Sequence, residues 1–443
     1  MSGERGGEPL ATEKIPRLVL KFTGTTLAAL LLNAAYTLTD TLFVSWGVGD
    51  SAVGGVSVAF PFVILQGAIS TAIGSGAASL VARRLGAGER EQAGAVTRCA
   101  MMLFYGSAVV ITILGLLLMD PVLHLLGVTA EIYDYSRDYL TIILLGNVFS
   151  TGFSSIIRAE GKMLYGLLIW VIPIAINIIL DAVFVLVLGW GVRGSALATV
   201  ACQFASFTMC VIFFLRLTTQ QFRGTRFRWR TAGAILAVGI PSLIQMGSLS
   251  VISALVNHFL GDVAGTSGIT AFAYISKIVT FAVVPITAVS QALAPIVGYN
   301  YGAGERERVR QTVRYCVQVC LIYALAAVVL LEAIPELLIR LFTTDAQMIA
   351  LSASGLRIIA ISLFFMVLPM LMGAYFQAVG NKGWALFLYA ANLIFLFPLA
   401  AIFSALNGMN GVWISYVLAN GCGTAVTVSK IIWGLRSCGR SSH

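Results

Sequence analysis

Charge is what this chain has least of. Asp, Glu, Lys and Arg make up 11% of its 443 residues, against roughly 25% in an ordinary soluble domain. So few charges cannot cover a water-facing surface, which excludes a soluble enzyme. A disordered chain is excluded by the opposite excess, since 58% of the residues are hydrophobic. Histidine is scarce, at three residues. There is no zinc-ligand spacing, His–Asp pair or nucleophile motif, so the reading is a non-enzyme without metal or cofactor. No Gly-x-x-x-x-Gly-Lys-Ser/Thr loop is present to hold ATP. The seven cysteines are scattered, which rules out a disulfide-stapled secreted domain. Cys316 and Cys320 lie four apart with no further ligand nearby and read as small buried hydrophobes. The first apolar run lacks a small-residue cleavage site and contains Asp40, so no cleavable signal peptide is expected.

What is present is apolar length. Mean hydropathy is +0.92, spread over the whole chain. A membrane span needs ~20 apolar residues, and twelve such runs occur, at 16–46, 52–82, 95–119, 135–158, 163–188, 194–216, 232–260, 268–298, 311–334, 347–378, 383–404 and 411–435. Run length excludes barrel strands, and a backbone in lipid must satisfy its own hydrogen bonds, so each run is expected to be a helix. The expected fold is an all-α polytopic membrane protein. With the N-terminus inside, only Arg137, Arg193, Lys277, Arg340 and Arg357 of the 28 Lys and Arg fall outside the inner tails and loops. That bias places both termini in the cytoplasm and explains the net charge of +9 without nucleic acid.

The chain is duplicated. Gly86-Ala-Gly-Glu-Arg-Glu91 recurs as Gly302-Ala-Gly-Glu-Arg-Glu307. Gly161, Asn177, Gly191 and Gly194 are answered by Gly380, Asn392, Gly408 and Gly411. Six spans separate each pair, so the halves are parallel repeats. This predicts two six-helix pseudo-symmetric lobes around a central cleft: a tail at 1–14, a lobe at 15–217, a cytoplasmic linker at 218–231, a second lobe at 232–435 and a tail at 436–443.

Ionisable groups inside lipid are costly and functional by default. Asp40, in the outer half of the first span, and Asp181, in the outer half of the fifth, match in depth and are candidates to meet within one lobe. Asn33, Tyr36 and Asp40 share one helix face, and Asn177 lies one turn before Asp181. Pro173, four residues before Asn177, cannot donate to the Ile169 carbonyl and is a candidate hinge. The fourth span offers Asn147, Thr151 and Ser154 to a cavity, and the sixth offers Ser195, Thr199 and Gln203. Removing a carboxylate from water penalises its charge, so a proton or cation must accompany it. In the second lobe the acids lie near span ends. Gln245 stands in the seventh span, and Lys277, about ten residues into the eighth, is either a structural counter-charge or part of substrate gating. His258 reads as structural. The Met and Phe content suits a soft cleft for varied ligands.

Several motifs converge: Tyr36-Thr-Leu-Thr-Asp40, Leu85-Gly-Ala-Gly-Glu89, Tyr301-Gly-Ala-Gly-Glu305, Arg158-Ala-Glu-Gly161, and Asn177-Ile-Ile-Leu-Asp181 followed by Gly-Trp-Gly-Val-Arg-Gly at 189–194. With them the chain resembles, over nearly its whole length, the multidrug and toxic compound extrusion family, in its bacterial multidrug branches. The resemblance implies cation-coupled antiport of organic, often cationic, compounds out of the cell. It places the coupling acids at Asp40 and Asp181, with Tyr36 and Asn177 beside them. Sodium-coupled relatives commonly carry an acid near the Gly239–Gln245 stretch; this chain has none there, which speaks against a second-lobe sodium site.

Without an ATP site an ion gradient must supply the work. One proton crossing ~100 mV releases about 2.3 kcal/mol, and a pH unit adds ~1.4 kcal/mol, enough for a few hundredfold gradient of a neutral solute. The expected protein is therefore a monomeric, multi-pass antiporter of the cell membrane. It works on small molecules within the lipid bilayer, with H+ as coupling ion and Na+ as the alternative, by rocking between two states. A flippase for a lipid-linked oligosaccharide is the competing transport reading, disfavoured by the sparse intramembrane cations. A non-transporting membrane receptor is the reading from another class.

Overall fold

The computed structural model describes residues 9–47, 50–125, 133–149, 153–220, 228–342 and 345–440. All regular structure among them is helical, as a backbone deprived of water requires. Each of the twelve apolar runs falls on a helix. The first three occupy Ile15–Gly47, Asp50–Gly86 and Arg90–Leu117. The fourth is broken into Tyr133–Gly146, a 3₁₀ turn at Asn147–Phe149, and Phe153–Ala159. The fifth and sixth, Met163–Asp181 and Gly191–Ile212, each end in a π-helical stretch, Ala182–Val187 and Phe213–Leu217. The ninth is Arg306–Ala333, and the tenth is a pair, Ala346–Ala360 and Ser362–Ala378, bent by 43°.

The remaining spans are joined two by two. Trp229–Gly302 carries the seventh and eighth and turns at Gly265 (φ 60°, ψ −149°). Lys382–Arg440 carries the last two and turns at Gly408 (φ 56°, ψ −133°). Its apolar part, Lys382–Ile431, has 50 residues. That is ~75 Å of helix, more than twice a ~30 Å bilayer core, so the chain must turn back, and only glycine adopts those angles without strain. Among the described residues nine helices are long and apolar enough to cross a membrane, and the bent pair makes ten. The Gly408 break and Asp50–Gly86 account for the other two expected spans. The chain is a multi-pass, all-α membrane protein.

The duplication is written in the backbone. Gly88 and Gly304 both have φ 81°, Gly161 and Gly380 have φ 80° and 84°, and Gly191 and Gly408 have φ 58° and 56°. Gly194 and Gly411 each pass a carbonyl: a Cβ would lie 3.0 Å from the oxygen of Phe184 in the first half and 1.8 Å from that of Phe403 in the second.

Packing groups the chain into two units. The first comprises Met1–Thr12, Gly24–Gly239 and Gly298–Gly304, and the second Glu13–Thr23, Ile240–Val297 and Glu305–His443. The first unit thus takes in both ends of Trp229–Gly302. The reason is close backbone packing on Asp50–Gly86: a Cβ on Gly239 would lie 2.0 Å from the Ala72 oxygen, and one on Gly302 2.0 Å from the Arg83 oxygen. Leu123, Leu140, Ile143, Leu144 and Ala196 centre one apolar core of the first unit. Leu260, Ile275, Leu356, Leu363 and Trp413 centre that of the second.

Candidate functional site

The fifth and sixth spans form an antiparallel hairpin. Its tight turn uses two left-handed glycines, Gly189 (φ 65°) and Gly191 (φ 58°). The Trp190 N–H donates to the Phe184 oxygen at 2.9 Å, and the two rings stack with centroids 4.9 Å apart. Toward the other end the Tyr165 hydroxyl donates to the Met209 oxygen at 2.7 Å. The register of the two helices is therefore fixed along their length.

Between them lie Asn177, Asp181 and Ser195, all completely buried. The Asn177 amide nitrogen donates to Oδ2 of Asp181 at 2.8 Å, and its oxygen accepts from the Thr199 N–H at 3.2 Å. One neutral side chain thus bridges the carboxyl on the fifth span and the backbone of the sixth. Thr199 Oγ1 and Gln203 Oε1, on the same face of the sixth helix, are buried with no hydrogen-bond partner among the described residues. A buried carboxyl with hydroxyl and amide oxygens on the facing helix is a donor set for a proton or a hard monovalent cation, which prefers oxygen ligands.

Asp181 is the last α-helical residue before the π-helical stretch. The widened turns there send the Leu188 N–H to the Val183 oxygen at 2.8 Å, five residues back. Pro173 is buried inside Met163–Asp181, which continues through it. The irregularity of this span follows the carboxyl rather than the proline. Such single π turns recur at functional sites.

Asn33, Tyr36 and Asp40 are carried by the Ile15–Gly47 helix, but their side chains lie outside the described residues, as does Thr151. Asn147 is buried at the break of the fourth span. It accepts from the Gln66 amide nitrogen and donates to the Ala108 oxygen at 3.2 Å. Gln66 is a residue that sequence reasoning missed; its signal was a lone amide within the apolar run at 52–82. Ser154 is buried on Phe153–Ala159. Gln245 is half-buried. Lys277 is exposed, and its Nζ lies 5.6 Å from the centre of the Phe342 ring, a cation–π contact at the end of the second unit that carries the Ile339–Phe342 turn.

The second unit has its own buried polar pair. Asn392 donates to Asn420 at 2.6 Å, and Asn420 donates to the Tyr416 oxygen at 2.9 Å. Nearby Gln377 donates to Ser242 Oγ at 2.7 Å. Leu396, which follows Asn392 by the same four residues that separate Asp181 from Asn177, is fully buried and apolar.

The family model MatE matches residues 26–183 and 241–402, one stretch in each half. The chain belongs to the MatE family. A MatE relative, the multidrug export protein MepA of Staphylococcus haemolyticus, is 24% identical over 415 residues, 92% of this chain and 91% of the relative. The FAD transporter of Shewanella oneidensis is 22% identical over 434 residues, 93% of each. A solved MATE structure, in a bent conformation, superposes with TM-score 0.89 at 25% identity, covering 97% of both chains. The MatE chain is thus a membrane transport protein with the twelve-helix, two-lobed MATE fold.

Proposed function

We propose that this MatE protein is a secondary antiporter that exports organic, mainly cationic, drugs or metabolites in exchange for H+, with Na+ as the alternative ion, by rocking between two states. The observation that carries the reading is Asp181, completely buried and bridged by a neutral amide. An amide does not cancel the charge, so a proton or cation must enter whenever the site closes to water. Linkage then requires only that ion and substrate favour different states. The MepA relatives support drugs as cargo, and the Shewanella relative supports a flavin nucleotide as the second candidate. Asp40 and Tyr36 complete the coupling site, and Asn33, Asn147, Ser154, Gln203 and Gln245 contribute to substrate binding.

The test is efflux of a cationic dye from proteoliposomes under a pH gradient alone and a sodium gradient alone, with FAD as the competing cargo. Dye efflux driven by one gradient supports the reading. Equal efflux without any gradient would sink it, and counterflow in the absence of efflux would leave only a passive carrier. The orientation belongs to the same proposal: both termini and the loops at Gly88 and Gly304 face the cytoplasm. Cysteines placed at Gly224 and Gly304, in a background lacking native cysteines, should be silent to an impermeant thiol reagent added outside intact cells. Rapid labelling would invert the topology.

A further inference from the structure

The hairpin that carries Asp181 is closed at both ends, at one by the Leu188–Trp190 turn and at the other by a side chain. Glu160 lies between Phe153–Ala159 and Met163–Asp181 and is 8% exposed. It collects four hydrogen bonds, all from three consecutive residues. Its Oε1 accepts from Thr218 Oγ1 at 2.7 Å and from the Gln220 amide nitrogen. Its Oε2 accepts from the Thr219 N–H at 3.0 Å and from Thr219 Oγ1 at 3.1 Å. Gln220, also buried, accepts in turn from Thr97 Oγ1 at 2.6 Å. Thr218–Gln220 directly follow the sixth span and lead into the segment joining the two halves.

A carboxylate receiving four donors makes stronger bonds than a neutral acceptor would. The repeat shows what this one is for. The residue before each left-handed glycine is Glu160 at Gly161 in the first half and Val379 at Gly380 in the second. Only in the first half does the last span continue into a second lobe. We propose that Glu160 is a positioning residue for transport. It ties the end of the sixth span, and with it the start of the joining segment, to the start of the fifth, so that both halves move from a fixed point. It touches no substrate, and the inference stands whether or not Asp181 couples the ion.

The experiment compares full-length parental protein, E160A, E160Q and the swap E160Q/Q220E in proteoliposomes. It reads amide hydrogen exchange at Thr219 and counterflow of a cationic dye. E160A should speed exchange at Thr219 by at least about tenfold and lower the maximal counterflow rate with the KM for dye unchanged. E160Q, which turns an amide nitrogen toward existing donors, should fall between. The swap keeps one carboxylate and one amide face to face and should restore both readouts. Unchanged exchange in E160A, parental turnover despite faster exchange, or a swap that rescues neither would overturn the proposal.

Discussion

The two halves share a backbone and differ in one charge. Both carry left-handed glycines at matching turns, and both pass a carbonyl under a glycine at the start of their last span. In each, an asparagine on the fifth helix of the repeat reaches the sixth, Asn177 to Thr199 and Asn392 to Asn420. One turn beyond, the first half has Asp181 and the second has Leu396. Asn–Asn pairing satisfies itself and can stay closed in every state. The carboxyl cannot be left charged and dry, so its half must exchange an ion with water. The repeat supplies the scaffold, and a single acid decides which half responds to a gradient.

Making the first half neutral should have the largest effect. Asp181→Asn keeps the shape but takes up no proton, and gradient-driven dye efflux should fall to the rate of empty vesicles with the protein still folded and dye bound. Efflux at the parental rate with the same gradient dependence would move coupling to Lys277 or an outer-end acid. A second contrast is steric. Gly411→Ala drives a Cβ against the Phe403 oxygen and should destabilise by about 3 kcal/mol, whereas Gly194→Ala, with more room, should cost ~1 kcal/mol. Thermal unfolding in detergent reads both, and equal losses would break the ranking.

Asn392→Ala removes a hydrogen bond between helices, worth ~1 kcal/mol in a membrane. It should lower stability slightly and leave the ion dependence of efflux as it was; an altered ion dependence would make the second half a coupling site too. The smallest effect is expected from Pro173→Ala, which should slow turnover modestly with substrate binding retained. Unchanged turnover would remove the hinge role, consistent with a span whose irregular turns begin at Ala182.

Much of this was legible in the residues. The apolar runs, the positive-inside bias and the Gly-Ala-Gly-Glu repeats all act locally, so spans and halves could be read directly. Asn177 and Asp181 are one turn apart, and any helix brings them together. Thr199 was visible as a polar residue in the sixth span, though its backbone contact to Asn177 was not. Gln66 meets Asn147 across 81 positions, and Glu160 meets Thr218–Gln220 across about sixty. Such pairings depend on how helices pack, which no local pattern encodes. The π-helical stretch after Asp181 was equally hidden, because Ala182–Val187 reads as ordinary apolar helix.

The central claim is that ion flux enters through Asp181 and not through the neutral pair of the second half. The direct measurement is substrate-driven ion movement: dye is added to proteoliposomes with a trapped pH indicator or a sodium indicator, for parental protein, Asp181→Asn and Asn392→Ala. Dye should drive counter-movement of one ion in the parental protein and in Asn392→Ala, and none in Asp181→Asn. Ion movement that survives Asp181→Asn, or that disappears in Asn392→Ala while Asp181 is intact, would contradict the account.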